Sequence, residues 1–283
     1  MRQLVVTADD FGLSPEVNEA VEMGHRRGIL TSASLLVGAA AARDAVERAR
    51  RLPRLRVGLH LAVVDATPSL PPREVPGLLG PGGRLPSNLP AAGVRFFFLP
   101  GVRRELAREV RAQFEAFRST GLTLDHVNAH HHMQLHPTVA ELIVGVGRDF
   151  GLKAVRVPDE PEEILVHAGE SSQRMLGRRF IRVWASLLRA RLRRAGLVCN
   201  DHVFGLAWTG SVTEERVLRL IPHLPEGISE LFCHPATAAD GSTPLGFRPA
   251  EELRGLTSPL VSRRLAEHEI RLVGFGDLAA SRP

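Results

Sequence analysis

The chain has 283 residues, a mass of 30.9 kDa and a formal net charge of +5, and 44% of its residues are hydrophobic. This composition is typical of a globular protein and excludes a disordered chain. No apolar run reaches the ~18 residues that a membrane-spanning helix requires. Asp9 and Asp10 interrupt any signal-peptide core, and two cysteines cannot form a disulfide framework, so we expect a cytoplasmic protein.

The positive charge is concentrated in one segment. Residues 171–200 contain eight arginines and no acid, and the rest of the chain has more acidic than basic residues. The rest also lacks a basic stripe and an aromatic stacking platform. Binding to nucleic acid is therefore not predicted.

Strand-like and helix-like segments alternate along the chain. The predicted strands cover residues 3–8, 31–37, 55–61, 122–129, 154–157, 203–207, 229–233 and 270–275. The predicted helices cover residues 15–27, 39–51, 103–119, 137–150, 173–195 and 213–220. Proline and glycine dominate residues 67–101, which we interpret as a surface excursion whose three phenylalanines, Phe96 to Phe98, wall a pocket.

Residues capable of chemistry cluster after the predicted strands. They are Asp9, Asp10, His60, His130, His131, His132, Arg156, Asp201, His202 and His234. In a β/α barrel the carboxyl ends of the strands converge on one rim, where catalytic groups collect. A Rossmann fold fits less well, because no G-x-G-x-x-G motif follows the first strand. We predict an α/β protein with a single distorted or incomplete (β/α) barrel domain over residues 1–283.

Two histidines and a carboxylate predict a metal site. Asp10, His60 and His130 provide two imidazoles and one carboxylate, which leaves positions open for water and substrate. If His130 and His132 lie at a strand end, they face the same way and His131 faces elsewhere. The donor set suits one divalent ion, magnesium or zinc, and does not identify it. A non-haem iron oxygenase uses the same donors, but its ligands commonly begin with a tight His-x-Asp/Glu pair.

Several neighbouring residues are candidates for the reaction itself. His234 precedes a proline on the same rim, where an imidazole is placed for proton transfer near neutral pH. Arg156 is expected to orient a carboxylate or a substrate carbonyl, or to pair structurally. We also expect His132 and Asp201 to face the substrate. A sugar- or lipid-binding module with an idle metal site is the alternative from a different class.

The motifs at these positions resemble those of the YdjC-like carbohydrate deacetylases. The resemblance rests on Thr7–Gly12 (TADDFG), Gly58–His60 (GLH), Asp125–His132 (DHVNAHHH) and Glu230–Pro235 (ELFCHP). Three further segments are similar to the hopanoid-biosynthesis-associated HpnK branch, namely Leu13–Ala20 (LSPEVNEA), Gly93–Phe98 (GVRFFF) and Leu135–Thr138 (LHPT).

The resemblance implies a distorted β/α barrel with a divalent metal held by Asp10, His60 and His130. It also implies that Asp9 is the general base and that His234 acts as the acid. The implied reaction is removal of the acetyl group from an N-acetylated amino sugar, in this branch an N-acetylglucosaminyl hopanoid lipid. Chitooligosaccharides are the main alternative substrate. His131 stands where the branch often has lysine.

The basic segment admits two interpretations. An apolar stripe that includes Val183, Trp184 and Leu187 runs along the helix predicted at 173–195, opposite a row of arginines. In one interpretation the apolar stripe packs on the barrel and the arginines face water. In the other the helix lies on an anionic membrane surface, peripheral to the inner membrane face. The sequence does not determine the oligomeric state, and a homodimer is compatible with it.

Overall fold

The computed structural model describes residues 1–170, 179–241 and 243–280. Among these residues, seven strands form one parallel sheet in the order β4-β3-β2-β1-β6-β5, and β7 pairs with the amino-terminal part of β1. The strands are β1 (Arg2–Phe11), β2 (Ser32–Leu35), β3 (Arg56–Leu61), β4 (Val127–Ala129), β5 (His202–Phe204), β6 (Gly227–Cys233) and β7 (Arg271–Leu272).

Helices follow most of the strands, as expected of a β/α fold. They are α1 (Pro15–Arg27), α2 (Ala42–Arg50), α3 (Leu89–Phe98), α4 (Pro100–Ser119), α5 (Pro137–Gly147), α6 (Glu162–His167), α7 (Arg179–Arg194), α8 (Glu214–Leu220), α9 (Pro249–Leu256), α10 (Pro259–Glu267) and α11 (Phe275–Ala280). Short 3-10 turns extend the ends of α5 and α8.

The sheet is curled into an incomplete barrel. Beyond β4 it continues only through single bridges at Ala154 and Val155, so Arg156 lies about four strand spacings from β1. A flat sheet would separate these positions by about 19 Å. Arg156 nevertheless contacts Asp9 of β1 directly through the interior. The predicted incomplete (β/α) barrel is therefore confirmed.

Local signals predicted the first helix well and the short strands less well. α1 has the predicted bounds, and its N-cap Ser14 accepts a hydrogen bond from the Val17 N–H. The strand predicted at 122–129 is reduced to Val127–Ala129, and the one at 154–157 consists of isolated bridges. Short strands are defined by pairing with neighbours, which composition alone does not specify.

The excursion at 67–101 contains a helix that was not predicted. α3 begins after Asn88, whose side chain accepts a hydrogen bond from the Ala91 N–H, and a proline occupies its first turn. Phe96 is buried beneath this helix, whereas Phe97 and Phe98 are exposed. The expectation that these phenylalanines wall the pocket is wrong, because a helix directs successive side chains to different faces.

The basic helix packs on a different face from the one expected. Of the predicted segment, 171–178 lies outside the described residues and α7 covers Arg179–Arg194. Its buried residues are Ala185, Leu188 and Leu192, while the apolar stripe of Val183, Trp184 and Leu187 is exposed. Of the predicted stripe, Leu188 therefore packs on the barrel as one interpretation expected, and for Val183, Trp184 and Leu187 that interpretation is wrong. Across the described parts of the chain, no helix combines the length and the apolar character needed to cross a membrane.

Candidate functional site

A bulge at the end of β1 brings two adjacent carboxylates to the rim of the barrel. In a regular strand neighbouring side chains point to opposite faces. The register with β2 shifts between Ala8 and Phe11, and Asp10 has a left-handed backbone with φ of 61°. A bulge re-aims side chains in this way and is common beside active sites. Asp9 and Asp10 therefore both face the same cavity.

Alternate residues of β3 and the β4 segment point into the barrel in layers. Gly58 and His126 occupy the lower layer, where a Cβ on Gly58 would lie 2.5 Å from a ring carbon of His126. His126 is fully buried and hydrogen-bonds with Ser34, so its role is to support the barrel interior beneath the site. His60 and Asn128 lie in the layer above, toward the carboxyl ends of the strands.

Three potential ligand atoms converge at the rim. His60 Nε2 lies 3.4 Å from Asp10 Oδ1 and 3.3 Å from His130 Nδ1, and His130 Nδ1 lies 3.5 Å from the same Asp10 oxygen. Ligand atoms about 2.1 Å from a shared ion, at tetrahedral or octahedral angles, lie about 3.0–3.4 Å apart. The three atoms are thus spaced as ligands of one cation.

The protonation pattern around these atoms also fits a cation. The Asn128 amide donates to Asp9, so its carbonyl accepts a hydrogen bond from His60 Nδ1–H at 2.8 Å. The lone pair of His60 Nε2 therefore faces Asp10. Burial lowers the pKa of His60, which keeps the imidazole in the neutral form that binds metals. Buried Asp10 Oδ1 accepts no well-formed hydrogen bond from the described residues, although at 3.5 Å from His130 Nδ1 the Asp10 carboxylate outweighs burial and raises the pKa of His130.

A second group of potential ligands shares one histidine with the first. Asp65, His130 and His131 also offer atoms within 4.8 Å of one another. Asp65 and His131 are exposed, however, and the pair is separated by 3.6 Å. The first group is better enclosed, because His60 is 3% exposed.

Asp9 belongs to a buried ion network instead of the ligand group. Arg156 donates to its two oxygens at 2.6 and 3.0 Å and to Glu230 at 3.0 and 2.8 Å. The Thr7 hydroxyl also donates to Glu230. Although burial acts to raise the pKa of Asp9, the charge and hydrogen bonds of Arg156 outweigh it and hold the pKa well below its ordinary range. The Asp9 carboxylate is therefore ionised at neutral pH.

His234 faces Asp10 from the opposite side. It follows β6, and its Nε2 lies 4.0 Å from Asp10 Oδ2 while the two other histidines contact Oδ1. Its backbone N–H donates to buried Glu252, and its ring packs between Phe232 and Phe247. This imidazole is fixed in position and remains partly exposed to the cavity.

These groups line a cavity of about 730 Å³. Asp9, Asp10, His60, His130 and His234 lie at its base. Most of the remaining lining residues are apolar, among them Leu13, Leu36, Val37, Leu89, Ile181, Leu206, Phe232, Pro244 and Phe247. Polar residues also line it, namely Asp65, Thr67, Ser69, Arg84, Gln113, His131, His132 and Thr209. The cavity thus joins a compact polar centre to a mostly apolar wall.

The histidine run adopts a conformation that differs from the one expected. β4 ends at Ala129, and residues His130–Leu135 form a 3-10 turn in which His131 and His132 have left-handed backbones. The expected alternation of facing therefore does not apply, and all three histidines line the cavity. His132 packs against Phe232, and burial with the nearby Arg156 charge lowers its pKa to about 3. The Nε2–H of His136 donates to the Gly93 carbonyl, and this residue lies outside the group.

Two predicted substrate-facing residues lie elsewhere. Asp201 is at the amino end of the sheet, because β5 begins beside Ser229, and its carboxylate accepts the Ile228 N–H at 2.9 Å. It is therefore remote from the rim that carries the ligand group. Arg156 is fully buried, and its guanidinium pairs with Asp9 and Glu230. Of the roles expected for Arg156, the structure therefore favours the orientation of a carboxylate, that of Asp9.

Asn128, Glu230 and Glu252 are not among the predicted site residues. Each is fully buried and hydrogen-bonded to a site residue or its partner. A glutamate inside the apolar run of β6 was the available signal, because buried charges occur with partners. Nothing local indicated that Glu252, on α9, would reach the His234 backbone.

The chain is similar to known proteins over nearly its whole length. A family model described as YdjC-like protein matches residues 3–267. A carbohydrate deacetylase of Geobacillus stearothermophilus is 30% identical over 97% of both chains, and one of Homo sapiens is 31% identical over 99% of this chain and 92% of its own.

The fold recurs in a solved structure. A protein of Enterococcus faecalis assigned to cellobiose-phosphate cleavage superposes with a TM-score of 0.75 at 24% identity, covering 98% of each chain. That likeness supports the fold, and the family match and sequence relatives extend over nearly the whole chain. The chain is a member of the YdjC-like protein family.

Proposed function

We propose that the protein is a metal-dependent carbohydrate deacetylase that hydrolyses the acetamido group of an N-acetylated amino sugar. The observation that carries the proposal is the convergence of Asp10, His60 and His130 at 3.3–3.5 Å beside an ionised Asp9. The names of the sequence relatives point to the same reaction class.

The metal site proposed is the group of Asp10, His60 and His130, with magnesium or zinc as the ion. A divalent cation held there would polarise the acetyl carbonyl and lower the pKa of a bound water. The three side chains would hold it through one carboxylate oxygen and two imidazole nitrogens, a donor set both ions accept.

Asp9 and His234 are proposed to move the protons. Asp9 takes a proton from the attacking water, whose oxygen forms a bond to the acetyl carbon. His234 donates a proton to the nitrogen as the C–N bond breaks, because an unprotonated amine is a poor leaving group. The products are acetate and a free amino sugar. Arg156 and Asn128 hold the Asp9 carboxylate in place for this transfer.

The proposed substrate is a glycolipid, an N-acetylglucosaminyl hopanoid. The apolar wall of the cavity supports this choice, because an amino sugar alone presents mostly hydroxyl groups to its site. Chitooligosaccharides remain the alternative substrate.

A lipid-linked substrate requires access to a membrane. We propose that α7 contacts an anionic membrane at its cytoplasmic face, which the exposed Val183, Trp184 and Leu187 and the six arginines of the helix support.

Acetate release tests the proposal. The metal-loaded protein is assayed with and without chelator on N-acetylglucosaminyl hopanoid and on diacetylchitobiose. We expect chelator-sensitive release from the lipid. Acetate release from diacetylchitobiose alone would support deacetylation and exclude the glycolipid as the substrate. No release from either, with metal bound, points first to another acetylated substrate and next to the binding module, whereas iron-dependent oxygen consumption would indicate an oxygenase.

A further inference from the structure

Two helices carry rows of exposed apolar side chains. The α3 ridge consists of Val94, Phe97 and Phe98, which lie three and four residues apart and so share one helix face. The α7 ridge consists of Val183, Trp184 and Leu187. All six side chains are between 45% and 68% exposed. Large apolar side chains grouped in this way indicate an interaction surface.

Both ridges lie close to the start of α5. Leu187 lies one helical turn before Arg191, whose guanidinium donates to the Pro137 carbonyl at 3.0 Å. The preceding residue, His136, packs its ring 6.3 Å from that of Phe97 and contacts the Gly93 carbonyl of α3. The α3 ridge and the α7 ridge are therefore neighbours on one side of the molecule.

Both helices also border the cavity that holds the candidate metal site. Ile181, which precedes the α7 ridge, and Leu89, at the start of α3, line the cavity wall. The apolar wall thus continues outward toward the exposed ridges. A surface placed against this side would lie next to the cavity entrance.

The charge around the ridges is positive. α7 has six arginines and no acid over Arg179–Arg194, and Arg193 and Arg194 are exposed at its end. Arg104 is exposed near the start of α4, directly after the α3 ridge, whereas Arg103 beside it is paired with Glu141 of α5 at 2.7 Å. A second copy of the chain docked through α7 would place these arginines against one another, at an electrostatic cost. An anionic lipid surface would pair with the positive charge and bury the apolar side chains of both ridges.

We infer that the α3 ridge and the α7 ridge together form one docking surface for an anionic lipid bilayer, which holds the cavity entrance at the membrane. This inference rests on the proposed function for its biological meaning and extends the contact from α7 alone to α3. Phe97, Phe98, Trp184 and Leu187 enter the interfacial region, and the exposed Arg193 and Arg194 at the end of α7 bind lipid phosphates.

Trp184 supplies a direct probe of docking. The chain has two tryptophans, and Trp208 is 1% exposed whereas Trp184 is 45% exposed. The holoenzyme is titrated with vesicles of phosphatidylcholine containing phosphatidylglycerol and with vesicles of phosphatidylcholine alone. We expect a blue shift of the emission and quenching by brominated lipid acyl chains with the anionic vesicles, and a loss of binding in high salt.

Paired variants separate the two ridges. Phe97→Ser with Phe98→Ser removes the aromatic part of the α3 ridge, and Val183→Ser with Leu187→Ser weakens the α7 ridge while keeping Trp184. Leu260→Ser is the matched control, because Leu260 is 53% exposed on α10. Each ridge pair is expected to lower vesicle affinity about tenfold or more, because binding scales with buried apolar area. The control is expected to bind as the unaltered protein.

The outcomes distinguish this inference from the proposed reaction. If the α3 pair binds vesicles as the unaltered protein does, the two-ridge surface is wrong, whatever the activity. If light scattering shows a dimer that the ridge variants abolish while vesicles do not bind, the occupant is a second copy and the inference is overturned. Vesicle binding that depends on both ridges, in a protein that releases no acetate, supports docking and contradicts only the proposed function.

Discussion

Arg156 binds both carboxylate oxygens of Asp9 inside the barrel, at 2.6 and 3.0 Å. Asp9 projects from β1 and Arg156 from the segment beyond β4, so the pair spans the interior of the curled sheet. The second side of the guanidinium binds Glu230 of β6. One arginine therefore fixes the orientation of Asp9 beside the ligand group and neutralises part of the buried negative charge.

The proposed role of Asp9 is tested by Asp9→Asn. The amide cannot accept the proton of the attacking water, so we expect kcat to fall about 10²–10⁴-fold while cation binding is retained. Steady-state acetate release and metal analysis measure the two properties.

Glu230→Gln is the matched control for this variant. It also removes one carboxylate from Arg156, but Glu230 is not among the residues lining the cavity. We expect its kcat to stay within about tenfold of the unaltered protein. Equal losses in the two variants would show that Asp9 acts only through the buried ion network.

Removal of the guanidinium is expected to destabilise the fold. Arg156→Met leaves Asp9 and Glu230 buried without their counter-ion, and breaking such a pair costs about 3–5 kcal/mol in the free energy of unfolding. Arg156→Lys keeps the charge but loses the forked hydrogen bonds, so its loss should be smaller. Urea unfolding in the presence of chelator compares the three proteins. A loss below about 1 kcal/mol in the methionine variant would contradict a structural role for the network.

The convergence of the three potential ligand atoms was predictable because their residues lie at the ends of strands that sequence patterns identify. Asp10 and His60 end strands with strong β-propensity, and parallel strands bring their carboxyl ends together whatever their exact lengths. The directions of the three histidine side chains were not predictable from the alternation of side chains along a strand. It depends on left-handed backbones at His131 and His132, which only the packing of the 3-10 turn determines.

Partners distant in sequence were harder to predict. Arg156 meets Asp9 only because the sheet curls, and curling results from packing of the whole barrel. The prediction of which face of α7 is buried failed for a related reason. The helix has two apolar stripes, and the smaller one, Ala185, Leu188 and Leu192, fits against the barrel. Hydrophobic periodicity alone does not determine which stripe is buried.

The three ligand residues make separate predictions about cation binding. Asp10→Asn, His60→Gln and His130→Gln are each expected to weaken the binding of one divalent ion strongly in calorimetry, since each replaces a carboxylate or imidazole ligand by a neutral amide, which binds the ion less well. His131→Gln is the control that decides between the two groups of potential ligands. If it abolishes binding while His60→Gln does not, the cation occupies the group that contains Asp65.

Asn128 is expected to tune this site without touching the ion. Its carbonyl fixes the His60 tautomer and its amide holds Asp9, so Asn128→Ala should lower cation affinity about 10–100-fold. Asn200→Ala is the matched control, because Asn200 is also fully buried but hydrogen-bonds to the backbone of Val157 and His202. If Asn200→Ala loses as much cation affinity as Asn128→Ala, the loss results from general destabilisation of the fold.

His132 is expected to make stability depend on pH. Its pKa in the folded protein is lowered to about 3, mainly by burial and then by the Arg156 charge, against an ordinary value of 6.5. Between these values the unfolded chain binds more protons than the folded one, so the free energy of unfolding decreases as the pH falls from about 7 toward 3. His132→Asn removes this titration, and asparagine tolerates the left-handed backbone. Urea unfolding at pH 7 and pH 5, with chelator present, should show a shallower decrease in the variant than in the unaltered protein. Parallel decreases in the two proteins would show that His132 is protonated in the folded state and is not held neutral by its surroundings.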